Sequence, residues 1–126
     1  MFRSTVFMFA LAAFVAVPAF AAEPVVSKGV QAEADGEAVL LVQVRAADRA
    51  IYGINIVDET GSVTDIISPK GWVGITSGDR TTFRTSEAPI GTGETVTFRI
   101  VTTDKTSPLA ITFKDKKSPI HFKQNI

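Results

Sequence analysis

The 126-residue chain has no cysteine, one histidine and one tryptophan, and its two methionines fall within the first eight residues. Without cysteine there is no disulfide framework, no thiolate metal site and no thiol nucleophile. Basic and acidic residues balance at 13 each, so the positive excess of a nucleic-acid binder is missing. What the chain does have is apolar content, 45 % of its residues, which suits one ordinary domain.

That content is unevenly spread. Arg3 is the only charge before Glu23, and between them runs a twelve-residue apolar stretch, Val6 to Val17, followed by Pro18 and Ala19-Phe-Ala21. A positive start, an apolar core and small residues at positions −3 and −1 form a secretory signal peptide, with cleavage expected after Ala21. The run is shorter than the roughly 20 residues that cross a bilayer. No Cys follows to carry a lipid, so the product is expected to be periplasmic or secreted, without a membrane span. The mature chain, 22–126, has 12 basic and 13 acidic residues, and five of the nine Phe leave with the signal.

Almost every mature segment alternates with period two between turn residues. Ala38, Leu40, Val42 and Val44 share one face; Tyr52, Ile54 and Ile56 share another; Val96, Phe98 and Ile100 point in while Thr97 and Arg99 point out. With Val25 to Ala34 as a first strand and Ile120 and Phe122 on a last one, the count is seven to nine strands. Val, Ile, Thr and Phe at the periodic positions disfavour helix, and only 46–50 has room for a helical turn. The fold class expected is a single all-β sandwich of antiparallel strands, immunoglobulin-like or fibronectin-III-like.

Pro69-Lys-Gly-Trp72, then Phe83, then Pro89-Ile-Gly-Thr-Gly-Glu94 and Val96-Thr-Phe-Arg-Ile100 resemble a pattern of secreted bacterial immunoglobulin-like domains. One group with this look is a periplasmic copper-handling family. The resemblance implies the fold, but its copper chemistry does not carry over. Such families look to a His near the mature amino terminus, where this chain has Ala22-Glu-Pro24, and one His without Cys cannot build a soft or imidazole site.

Catalytic constellations are equally sparse. His121 is the sole candidate base, on the face opposite Ile120 and Phe122, and no Ser sits in a Gly-x-Ser-x-Gly elbow. Asp58, Glu59 and Asp65 are close enough in sequence to suggest paired carboxylates or a weak Ca²⁺ site, but they match no EF-hand spacing, and acids at a turn have local hydrogen-bonding work. No catalytic residue, metal site or cofactor is therefore expected.

Contact residues are easier to name. Trp72, between Gly71 and Gly74, is either a core residue or a platform for a sugar ring or a protein partner, with Arg80 and Arg84 nearby. Charge is polarised: 22–65 holds 3 basic and 8 acidic residues, 98–126 holds 6 basic and 2 acidic. Lys114, Lys116, Lys117, His121 and Lys123 either guard an edge strand against aggregation or meet an acidic partner. The function expected is non-enzymatic: an accessory module of the envelope or exterior acting by protein contact, with edge pairing by Ile120 to Ile126 as one route. The alternative is carbohydrate or small-ligand binding centred on Trp72. Nucleic acid is not an expected partner.

Overall fold

The computed structural model describes residues 22–116 and 119–126; the expected signal segment 1–21 and Lys117 lie outside the described residues. Nine strands follow in order: β1 (Val25–Ala34), β2 (Glu37–Arg45), β3 (Gly53–Val57), β4 (Val63–Ile67), β5 (Val73–Ser77), β6 (Arg80–Arg84), β7 (Thr95–Thr102), β8 (Ala110–Lys114) and β9 (Pro119–Asn125). None of the described residues is helical. Residues 46–50 do not form a helical turn, because Ala46 bonds in extended fashion to the 91–94 turn, its N–H to Glu94 and its carbonyl to Gly93.

Two turns show how the sequence sets the strand ends. Asp35 and Gly36 both have positive φ, 54° and 81°, the requirement of the tight turn that joins β1 to β2 with matching twist. Ahead of β5, Trp72 N–H bonds to the Pro69 carbonyl at 3.0 Å, and Gly71 sits at φ 85° as the third residue of that turn.

The strands form two antiparallel sheets, ordered β1-β2-β7-β4 and β5-β6-β3-β8-β9. The first has the A-B-E-D order of an immunoglobulin domain and β3-β8-β9 has the C-F-G order, with the β5–β6 hairpin added beside β3. The fold is thus an immunoglobulin-like β-sandwich.

Burial follows the alternation. Ala38, Leu40, Val42 and Val44 of β2 face inward opposite Thr102, Ile100, Phe98 and Val96 of β7. The opposing sheet contributes Ile54, Ile56, Phe83, Ile111 and Phe113, all buried. Val39 and Leu41, apolar on the outer face, are half-buried; the Arg99 to Gln31 hydrogen bond, 3.0 Å, links β7 to β1 across β2 beside them. Tyr52 departs from the expected pattern. It precedes β3, at the sheet's end, where its N–H bonds to Lys114 O and its carbonyl accepts from Thr85 N–H, so it is only half-buried.

The carboxy-terminal strand is an edge and also part of the core. Among the described strands β9 pairs with β8 alone, yet Ile120 is buried, Phe122 and Ile126 pack on the core, and Ile126 exchanges two backbone hydrogen bonds with Leu109. A register irregularity opposite Thr112 and Phe113 separates Ile120 from Phe122, so the two do not alternate as a regular strand would. Removing 118–126 is therefore expected to cost at least about 3 kcal/mol, from the lost burial of these side chains. Urea unfolding checks it: a truncated chain as stable as the full one would mean that β9 adds nothing to the core.

Candidate ligand-contact face

The outer face of the five-stranded sheet is built in rows by strand register. One row runs Val73, Arg84, Gly53, Lys114, Pro119; the next runs Ile75, Thr82, Asn55, Thr112, Lys123; the third runs Ser77, Arg80, Val57, Ala110, Asn125. Because Thr81, Phe83, Ile111 and Phe113 point into the core, these rows must point out. The face carries four cations, Arg80, Arg84, Lys114 and Lys123, and no carboxylate. None of the four forms an ion pair among the described residues.

Two adjoining depressions share Lys114. One, about 490 Å³, is lined by Asn55, Thr112, Lys114, Pro119, Phe122 and Lys123. The other, about 260 Å³, lies at the sheet's end and is lined by Tyr52, Gly53, Arg84, Ser86, Lys114 and Lys116 among others. Gly53, buried between Arg84 and Lys114, lets the lysine stem lie across the strand: a Cβ there would stand 3.6 Å from Lys114 Cβ and 3.9 Å from its Cδ. In the middle row Thr82 donates to Asn55 Oδ1 at 2.6 Å, which fixes the amide and leaves its NH₂ without a partner among the described residues. Arg49 pairs with Asp115 at the margin, which neutralises the one acid lining that end.

The structure thus joins candidates far apart in the chain. Arg84, Lys116 and Lys123 line the two depressions and Arg80 shares their face. His121 lies in β9, but the direction of its side chain is outside the description. Tyr52, Asn55 and Thr112 were not candidates by sequence. The only available signal was Asn55 between Ile54 and Ile56, a polar residue on the outward side of an apolar strand.

Of the two readings open for Trp72, core residue or platform, the structure takes the core and removes it from the contact residues. It is 7 % exposed, its ring meets Phe98 edge-on at 4.9 Å and 84°, and its Nε1–H donates to Ala88 O at 2.9 Å. Neither ring face is left for a sugar or a partner. It lies in the turn before β5, and Arg80 and Arg84 point away from it on the outer face.

The acidic trio is dispersed as well. Asp58 is 1 % exposed and its carboxylate accepts from Thr60 and Ser62, through both N–H and hydroxyl, and from Ser107 Oγ at 2.6 Å. Burial pushes its pKa up, but the hydroxyls of Ser107, Ser62 and Thr60 outweigh it and bring the value down to about 2. Glu59 and Asp65 are exposed, and Asp65 turns back to Ile66 N–H at 2.8 Å. Among the described residues no three His, Cys, Asp or Glu side chains cluster to hold a metal ion.

No family model matches the chain, and no curated protein matches it. Among solved structures it is similar to an uncharacterized protein from Nocardia farcinica described as having an immunoglobulin-like fold. That match has 11 % identity and TM-score 0.59, and covers 80 % of each chain. It is also similar to part of a GH20 exo-β-N-acetylglucosaminidase from Vibrio harveyi, in an inactive mutant and in complex with N-acetylglucosamine. Both matches have TM-score 0.53, at 12 % and 11 % identity, and cover 82 % of this chain but 17 % of that one. At such identities the likeness shows the fold alone, and that fold is the immunoglobulin-like sandwich.

Proposed function

We propose that the mature chain is an exported, non-enzymatic contact module that holds an acidic partner on the outer face of its five-stranded sheet. The observation that carries this is the set of four cations, without an ion-pair partner among the described residues, on a sheet face whose outward rows hold no carboxylate. Acids gather elsewhere: Glu33, Asp35 and Glu37 surround the β1–β2 turn beside Asp104. Such polarity orients an approaching partner and sets association rate more than final affinity. The signal-like segment before Ala22 supports a site of action in the periplasm or outside the cell.

The test is made on protein recovered from its own envelope. The mature amino terminus should be Ala22 by mass spectrometry. Immobilised domain should retain envelope components that an Arg80→Glu/Arg84→Glu double variant releases, at unchanged thermal stability, because both side chains point outward. Equal retention by the variant would remove this face from the function.

A further inference from the structure

We propose that the paired depressions on either side of Lys114 bind an anionic polysaccharide lying across β6, β3, β8 and β9. The inference rests on the contact-module reading and supplies the chemistry of its partner.

The charge spacing is the first argument. Arg84 and Lys114 flank Gly53 in one row, so their Cα atoms are about 10 Å apart, two strand spacings. Lys123 lies one strand over and two residues along from Lys114, about 8 Å away. Cations therefore recur about 8–10 Å apart across the two adjoining depressions, which suits a ligand carrying its anionic groups at intervals, as a polymer of acidic sugars does. Arg84 gives a fork for a carboxylate or sulfate, and the lysines give point charges.

What lies between the cations is the second argument. The two depressions are lined by Thr112 and Asn55 on one side of Lys114 and by Ser86 on the other, hydroxyl and amide groups matched to sugar hydroxyls. Tyr52, half-buried at the open end, lines the smaller depression and supplies an aromatic surface for a ring.

A folded acidic protein fits less well. Stable protein interfaces have an apolar, often aromatic centre with charges at the rim. Here the large exposed apolar residues, Val73 and Ile75, are on the β5 edge, while Arg84 and Lys114 flank the central strand β3. Two side chains at one edge also make a poor membrane anchor, since stable attachment needs broader apolar burial beside the charge.

The experiment uses the mature domain and measures binding by calorimetry at low and at 0.5 M salt. The probes are polygalacturonate, dextran sulfate, neutral dextran, polyglutamate and vesicles containing phosphatidylglycerol. The expected result is binding of the two acidic polysaccharides, none of dextran, and loss at high salt. An Arg84→Gln/Lys114→Gln variant should weaken it at least tenfold, and Arg45→Gln on the opposite sheet should leave it unchanged. Tyr52→Ala should weaken polysaccharide binding further without affecting residual polyglutamate binding; Tyr52→Phe guards against a folding defect by restoring it. Equal binding of polyglutamate, or binding of vesicles in preference to polysaccharide, overturns the proposal. Should none of the anions bind while envelope retention still depends on Arg80 and Arg84, the proposal fails and the contact reading stands. If retention is also indifferent to those arginines, both fail.

Discussion

Trp72→Ala should destabilise the domain by about 3–5 kcal/mol, the range for deleting a large aromatic from a packed core. The indole fills the space between the turn at Pro69 to Trp72 and Phe98, which also meets Phe83 at 4.9 Å and 45°. Its removal leaves a cavity beside the Phe98 ring and strands the Ala88 carbonyl that Nε1–H now satisfies. The surroundings have little room to collapse. Gly74, two residues on, already lies so close to Ile66, Ser68 and Phe83 that a Cβ there would approach each within 2.8 Å. For a domain of this size the loss corresponds to a fall in melting temperature of about 12 °C or more, measurable by calorimetry. The native protein's fluorescence should be blue-shifted and insensitive to added sugars. A variant within about 1 kcal/mol of the parent would mean that the ring is not core, and the sugar-platform reading of Trp72 would return.

Why the sequence left Trp72 open, yet allowed the strands to be placed, has a physical explanation. In β2 and β7 the inward residues recur every second position, and a period of two survives whatever the strand pairs with. Trp72 belongs to no such series. Its glycine neighbours suit a turn, and its partner Phe98 is reached only through tertiary packing. The contact face was hidden for a related reason. Arg80 and Arg84 are about thirty residues from Lys114 in the chain, and they meet because β3 pairs with β6 on one side and β8 on the other. Strand order is not written in local periodicity, so two basic groups could be named but not joined. Tyr52 keeps step with Ile54 and Ile56, so alternation alone points it inward, but the strand begins one residue after it.

Asp58 is the other residue whose loss should be severe. Its sequence neighbourhood explains half of its environment: Thr60 and Ser62 close the turn after β3 through side chain and backbone. The other half comes from Ser107, 49 residues on, whose hydroxyl crosses from the loop before β8, while Thr102 donates to Ser62 Oγ at 3.1 Å. The carboxylate thereby ties the β3–β4 turn to the end of β7 and the loop after it. Asp58→Ala leaves two backbone N–H groups and several hydroxyls facing a void, and should cost about 3 kcal/mol in urea unfolding at pH 7.

The same carboxylate sets an acid limit. Since its folded pKa is depressed to about 2, its contribution is fully present above the ordinary carboxylate range and is lost as pH falls from about 4 towards 2. The amount is about 2 kcal/mol. Asp104, held low by the hydroxyl and N–H of Thr106, gives a weaker slope of the same sign, so Asp104→Asn serves as a control. Asp58→Asn keeps the shape but turns a donor towards groups that now donate to it. It should be less stable at neutral pH and should lose most of the fall in stability between pH 4 and 2. An Asn variant with the parent's acid profile would place the acid-sensitive group elsewhere.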